Sequence, residues 1–167
     1  MGLFTSKSDL FKWQQLVAPN APKLVMNKQQ LHAETKRQAA GKIKIIQDCV
    51  RLVNTTIKPD VFFKRHDMLK EKAYELTLLE PYLNFSGKSP SESYREILEK
   101  EQDTIFDFVN RYFMAEEDKV ATLKTNKAKQ NHYLAFYASL QPYFIEMDED
   151  TIESIEIAYK EGFNKYL

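Results

Sequence analysis

The chain is poor in the residues on which most enzyme reactions depend. It holds one cysteine, four glycines and three histidines, at spacings that match no common catalytic or metal motif. The single thiol, Cys49, closes no internal disulfide, and beside Ile46, Val50 and Val53 it reads as an inert buried group in a reducing compartment. Four scattered glycines cannot build a phosphate-cradling loop, and Gly-x-Ser-x-Gly does not occur. Paired-carboxylate metal sites in helical bundles use Glu-x-x-His on two helices, because ligands at i and i+3 share a face. The residues three before His32, His66 and His132 are Gln29, Phe63 and Lys129, so that motif is missing, as are His-Glu-x-x-His and paired cysteines. These gaps predict no catalytic residue, no metal and no cofactor.

Long apolar runs are missing too. The longest, Tyr133 to Ala138, falls far short of the roughly 20 residues that a membrane helix needs. Lys7, Asp9 and Lys12 interrupt the stretch from Met1 to Leu16, which therefore lacks the uninterrupted core of a secretory signal. The expectation is a cytoplasmic protein without a membrane segment.

What the chain does have is core material. Of its 167 residues, 43% are hydrophobic and 13% aromatic, enough to argue against disorder across its body. A domain of this length buries roughly 70% of the surface that its unfolded form exposes. Charge is balanced overall but not along the chain. Residues 1–72 carry fourteen Lys and Arg against six Asp and Glu, a net +8, and residues 73–167 carry ten against eighteen, a net −8. Either basic and acidic helices neutralise one another inside one fold, or the basic half faces an anionic partner or the acidic end of a second copy.

Helical spacing runs through nearly everything after Asn27. Residues 1–26 read as an N-terminal arm: a short amphipathic piece with Leu10, Phe11, Trp13 and Leu16, then a linker whose Pro19 and Pro22 favour extended backbone. Residues 27–167 read as one helical bundle domain. Asn27 is placed to cap a first long helix to about Thr55, with the seam Ala39, Ile43, Ile46, Val50, Val53 and Ile57. Gly41 inside it marks close packing or a weak point. Pro59 and Asp60 suit the first turn of a second helix with the stripe Phe62, His66, Leu69, Ala73 and Leu76. Asn84 to Lys88 is the clearest loop, and Ser89-Pro90-Ser91-Glu92 is a capping box opening a third helix. That helix carries Leu98, Ile105, Phe108 and Tyr112 beside Phe106, Val109 and Phe113, and is expected to lie centrally. A charged break at Glu116-Glu117-Asp118 leads into a helix over Val120 to Leu140, burying Tyr133, Leu134, Tyr137 and Leu140. Asp148 opens the last helix, with Ile152, Ile155, Tyr159, Phe163 and Tyr166 inside. The predicted fold is all-α: a four- or five-helix bundle, mostly antiparallel, preceded by the arm.

Three groups stand out for binding. His66 lies on an apolar stripe, as a core histidine or as a ligand group in a pocket. Lys119, Lys124, Lys127, Lys129, His132 and Tyr133 make a basic and aromatic stretch that a phosphate backbone could use. Phe11 and Trp13 form a candidate interaction arm.

Pro59-x-x-Phe62-Phe63-x-Arg65-x-Asp67-x-Leu69, Phe108-x-x-Arg111-Tyr112 and Leu123-Lys124-Thr125 resemble a recurrent pattern in an uncharacterised bacterial family of helical proteins. The resemblance spans about residues 45–140; where the pattern has an aromatic residue, this chain has His66. It implies a helical fold and supplies no reaction, ligand or partner. It directs attention to Arg65, Asp67, Arg111, Tyr112, Lys124 and Thr125: Arg65 and Arg111 as structural residues paired with a carboxylate such as Asp67, Asp107 or Glu80, or the same arginines with Lys124 as a site for an anion. The functional expectation is a non-catalytic protein-interaction or adaptor module, with self-association through the arm. The alternatives are nucleic-acid binding, through the Lys-rich face of the first long helix (Lys28, Lys36, Arg37, Lys42, Lys44 and Arg51) or the Lys119–Lys129 stretch, and, behind it, binding of a small anionic ligand at Arg65, His66, Arg111 and Lys124.

Overall fold

The computed structural model describes residues 6–167. Helix, 3-10 turns included, accounts for 81% of the described residues, which form seven α-helices and no strand. The all-α expectation holds; the count of four or five does not. The helices are α1 (Lys7–Val17), α2 (Lys28–Thr55), α3 (Pro59–Leu79), α4 (Pro90–Glu99), α5 (Glu101–Val120), α6 (Asn126–Leu140) and α7 (Glu149–Lys165), with 3-10 turns at Glu80–Tyr82 and Gln141–Glu146.

The two extra helices have local causes. The lead-in is a full helix, α1, started by the Ser6 hydroxyl, which accepts the Asp9 N–H at 3.0 Å. The single helix expected from Pro90 onward is two, because Lys100 (φ −94°, ψ 3°) leaves helical geometry for one residue between α4 and α5. The break expected at Glu116 falls later, after Val120. Glu116 stays inside α5, buried, with Lys119 Nζ 3.1 Å away and His132 Nε2 against its other oxygen, so its charge has partners and does not stop the helix.

Most caps follow the sequence. Asn27 Oδ1 accepts the Gln30 N–H and Gln30 Oε1 accepts the Asn27 N–H, each at 2.9 Å, a reciprocal pair that starts α2. Ser89 accepts from Glu92 N at 3.2 Å and Asp148 from Thr151 N at 2.9 Å; Thr125, which caps α6 by accepting from Ala128 N at 3.1 Å, lies inside the helix expected from Val120. Those bonds from Thr151 hold the Asp148 carboxyl below its ordinary range.

The chain forms two compact units: residues 1–49 with 68–97, and residues 50–67 with 98–167. The first encloses Trp13, Val17, Leu31, Ala39, Leu76 and Leu79, with Leu10, Met26, Ile46, Tyr82 and Phe85 packed around them. The second encloses Val53, Phe62, Phe63, Ile105, Phe108, Val109, Tyr112, Phe136, Leu140 and Ile155. In the second unit α5, α6 and α7 pack on one another. The stripe predicted on α3 is buried at every position, and Cys49 is 1% exposed. The seam predicted on α2 is half right. Ala39 and Val53 are buried and Ile46 half-buried, but Ile43, Val50 and Ile57 are 36%, 41% and 38% exposed. The buried face of α2 includes Thr35, which hydropathy does not count. Leu134 is likewise exposed, with Phe136 buried in its place.

Candidate anion-binding cleft

In the first unit, α1 is held to α2 by polar side chains. The Trp13 indole N–H donates to Thr35 Oγ1 at 2.8 Å, and Thr35 donates onward to the Leu31 carbonyl of its own helix at 2.6 Å. Gln14, fully buried, ties down the linker: its Nε2 donates to Lys23 O at 2.7 Å, and its Oε1 accepts from Val25 N at 2.8 Å and Met26 N at 2.9 Å. Gln38 Nε2 donates to Val17 O at 2.7 Å and closes the last turn of α1. Tyr82 stacks on Trp13 at 4.8 Å between centroids, and His32 meets the same indole edge-on at 4.7 Å.

This packing makes a cleft of about 770 Å³. One wall is the start of α2, with Lys28, Gln29, His32 and Lys36; the other is Pro81 to Asn84; Trp13 lies between them. The lining contains two ammonium groups, an imidazole, two amides and the Tyr82 phenol, and no carboxylate among the described residues. Every polar group there can donate a hydrogen bond, and the α2 N-terminus adds the positive end of its dipole. The cleft is thus built to receive negative charge.

Two other concavities differ in character. In the second unit, about 490 Å³ is bounded by Glu117, Glu161, Lys165, Tyr133 and Gly162, a mixture of both signs. There the Tyr133 hydroxyl lies 3.4 Å from Glu117 Oε2; burial first, and then the Glu117 charge, push its pKa up to about 12. In the first unit, about 240 Å³ between Ile43, Ile46, Leu76, Phe85, Pro90 and Ile97 is mainly apolar.

Of the residues singled out in the sequence, Trp13, Lys28 and Lys36 line this cleft and the other candidates do not. Trp13 is 1% exposed and forms part of the first core, so any contact made through it requires α1 to unpack; Phe11 is half-buried. His66 is 3% exposed and stacks on Phe62 at 5.8 Å, and Phe62 stacks on Phe108 at 4.3 Å. Arg111 closes the end of α2: its Nη2 donates to Val53 O at 2.8 Å and its Nε to Thr56 O at 3.0 Å, with the guanidinium 5.7 Å from the Phe108 ring centre. The sequence suggested carboxylate partners for it; these two bonds go instead to carbonyls left open by a helix C-terminus. Burial lowers its pKa and the charge of Asp107 opposes that shift. Arg65 is half-buried, and Lys124 is exposed one residue before the cap of α6.

The basic stretch is largely engaged within the second unit. Lys119 and His132 turn to Glu116, Lys129 Nζ sits 4.8 Å above the Tyr166 ring and Tyr133 is buried, which leaves Lys124 and Lys127 facing solvent. Lys28 and Lys36 belong to the Lys-rich face that the sequence offered to nucleic acid; Gln29 and His32 were missed, although cation-forming groups at 28, 32 and 36 repeat at the four-residue spacing of one helix face. Comparison with known protein families, curated proteins and solved structures finds no match for this chain.

Proposed function

We propose that the protein is a non-catalytic interaction module that seats an anionic segment of a protein partner in the cleft beside Trp13. The observation that supports this reading is the cleft's lining: Lys28, His32 and Lys36 facing Tyr82 and Asn84, with no carboxylate among them. An exposed ammonium contributes about 1 kcal/mol per contact in water, so affinity has to come from several such contacts made together. A buried single cysteine fits a cytoplasmic setting, and no helix among the described residues is long and apolar enough to cross a membrane.

A photo-crosslinking residue placed at exposed Gln29 tests the reading in the native cell, with Leu134 on α6 as the control position. Protein adducts are expected from position 29, and a Lys28→Glu/Lys36→Glu background is expected to abolish them. Equal adducts from both positions, or adducts that survive charge reversal, reject the cleft; nucleic-acid adducts favour the alternative partner. A second copy is the other protein reading, favoured by residue counts that give the first unit a net +4 and the second a net −4. Sedimentation at rising protein concentration in low and high salt checks it: salt-sensitive growth of larger species is expected under that reading, and a monomer throughout rejects it.

A further inference from the structure

The lining of the cleft specifies more than the sign of its ligand. Lys28, His32 and Lys36 succeed one another every four residues on α2, so they stand about 6 Å apart along an axis that rises 1.5 Å per residue. An extended polypeptide turns every second side chain to the same side, about 6.6–6.8 Å apart. Three carboxylates at alternate positions of an extended segment therefore match three cation-forming groups on the helix with a mismatch of under about 1 Å per step.

Two further features favour an extended chain over a helix. Gln29 on one wall and Asn84 on the other each carry an amide that both donates and accepts, the complement of a strand's unpaired N–H and C=O groups. A helix keeps those groups for itself. The alternate side chains of an extended segment face the other wall, where Pro81, Tyr82 and Leu83 present apolar surface.

Resting on the proposed function above, we infer that the cleft binds an extended acidic segment of a partner protein in which acidic and apolar residues alternate. Its carboxylates face Lys28, His32 and Lys36, and its apolar side chains face the Pro81–Leu83 wall.

Trp13, the sole tryptophan, lies within the cleft and reports binding by its fluorescence. The probes are a peptide with three glutamates alternating with valines, a peptide of identical composition with the glutamates contiguous, a helix-forming peptide with glutamates at i, i+4 and i+8, and inorganic phosphate. The alternating peptide is expected to bind about ten-fold more tightly than its contiguous isomer, as the loss of one or two charge contacts implies. Lys36→Ala is expected to weaken it about five-fold and Lys28→Ala/Lys36→Ala about 25-fold, at unchanged helix content because both side chains are exposed. Equal binding of the two isomers, abolished by the double substitution, overturns the alternating register and leaves the interaction reading intact. Preference for the helical peptide overturns the extended segment. A response to phosphate alone overturns a protein partner, and binding indifferent to the double substitution overturns the cleft itself.

Discussion

The two units are built on opposite principles, and the contrast explains which of them sequence alone could describe. The second is an aromatic stack: Phe62 on Phe108 at 4.3 Å, Phe63 on Tyr143 at 4.2 Å, Phe108 on Tyr112 at 5.9 Å and Tyr112 against Phe136 at 5.2 Å. The first has fewer rings and is tied together by buried polar side chains, with Thr35 and Gln14 both at 0% exposure. Hydrophobic burial tolerates imprecise neighbours, whereas a buried amide has to find each partner or lose about 1–3 kcal/mol per orphaned group. The precise unit is the one that carries the cleft.

Substitutions in the two cores break this contrast most sharply. Phe108→Ala in the second unit is expected to cost about 3–5 kcal/mol, since a fully buried ring leaves a cavity among stacked neighbours; urea unfolding followed by circular dichroism measures it. Gln14→Leu in the first unit keeps a side chain of similar size and adds apolar area. It is nevertheless expected to cost about 2–3 kcal/mol, because Lys23 O, Val25 N and Met26 N all lose their partner. A neutral Gln14→Leu in the same assay would place the first unit under the same rule as the second.

Two glycines sharpen the contrast at smaller scale. A Cβ on Gly162 in the second unit would overlap the Tyr133 ring, so Gly162→Ala is expected to destabilise by about 1–2 kcal/mol, overpacking outweighing the gain in helix propensity. A Cβ on Gly41, in the first unit, meets nothing within 4 Å, and Gly41→Ala should raise stability by about 0.5–1 kcal/mol. Thermal melts of both variants give the signs directly; the same sign for both would contradict the packing described.

The smallest effect is a titration. Because folding raises the Tyr133 pKa from 10.0 to about 12, the folded state holds that phenolic proton where the unfolded chain gives it up. The contribution is complete below about pH 10 and is lost as pH rises through the folded pKa of about 12. Melting temperature should fall across that window, and Tyr133→Phe should flatten the fall. An unchanged slope in the variant removes the effect.

What could be read from the sequence follows the same division. The α3 stripe was legible because Phe62, Leu69, Ala73 and Leu76 are apolar and His66 keeps their spacing; Pro59 and Ser89 marked helix starts through backbone rules that need no tertiary contact. The face of α2 was misplaced because Thr35 is buried through hydrogen bonds, and hydropathy gives Ile43 and Val50 the positions that Thr35 and Cys49 hold. The break at Lys100 carries no proline or glycine and had no local sign. Lys28, His32 and Lys36 were visible as a spacing, but the opposite wall begins at Pro81, and only folding brings it to them. Arg111 was noticed for its charge; its use as a clamp on the end of α2 depends on a carbonyl pair more than fifty residues earlier.

All of the binding account requires α1 to be docked through Trp13, since Trp13 and Tyr82 shape the cleft. Steady-state emission and acrylamide quenching of this sole tryptophan test that most directly. A blue-shifted spectrum with little quenching is expected in the wild-type protein, moving to the red with free quenching in Gln14→Leu. A red, fully quenchable tryptophan in the wild-type protein would mean that α1 is undocked and the cleft does not exist.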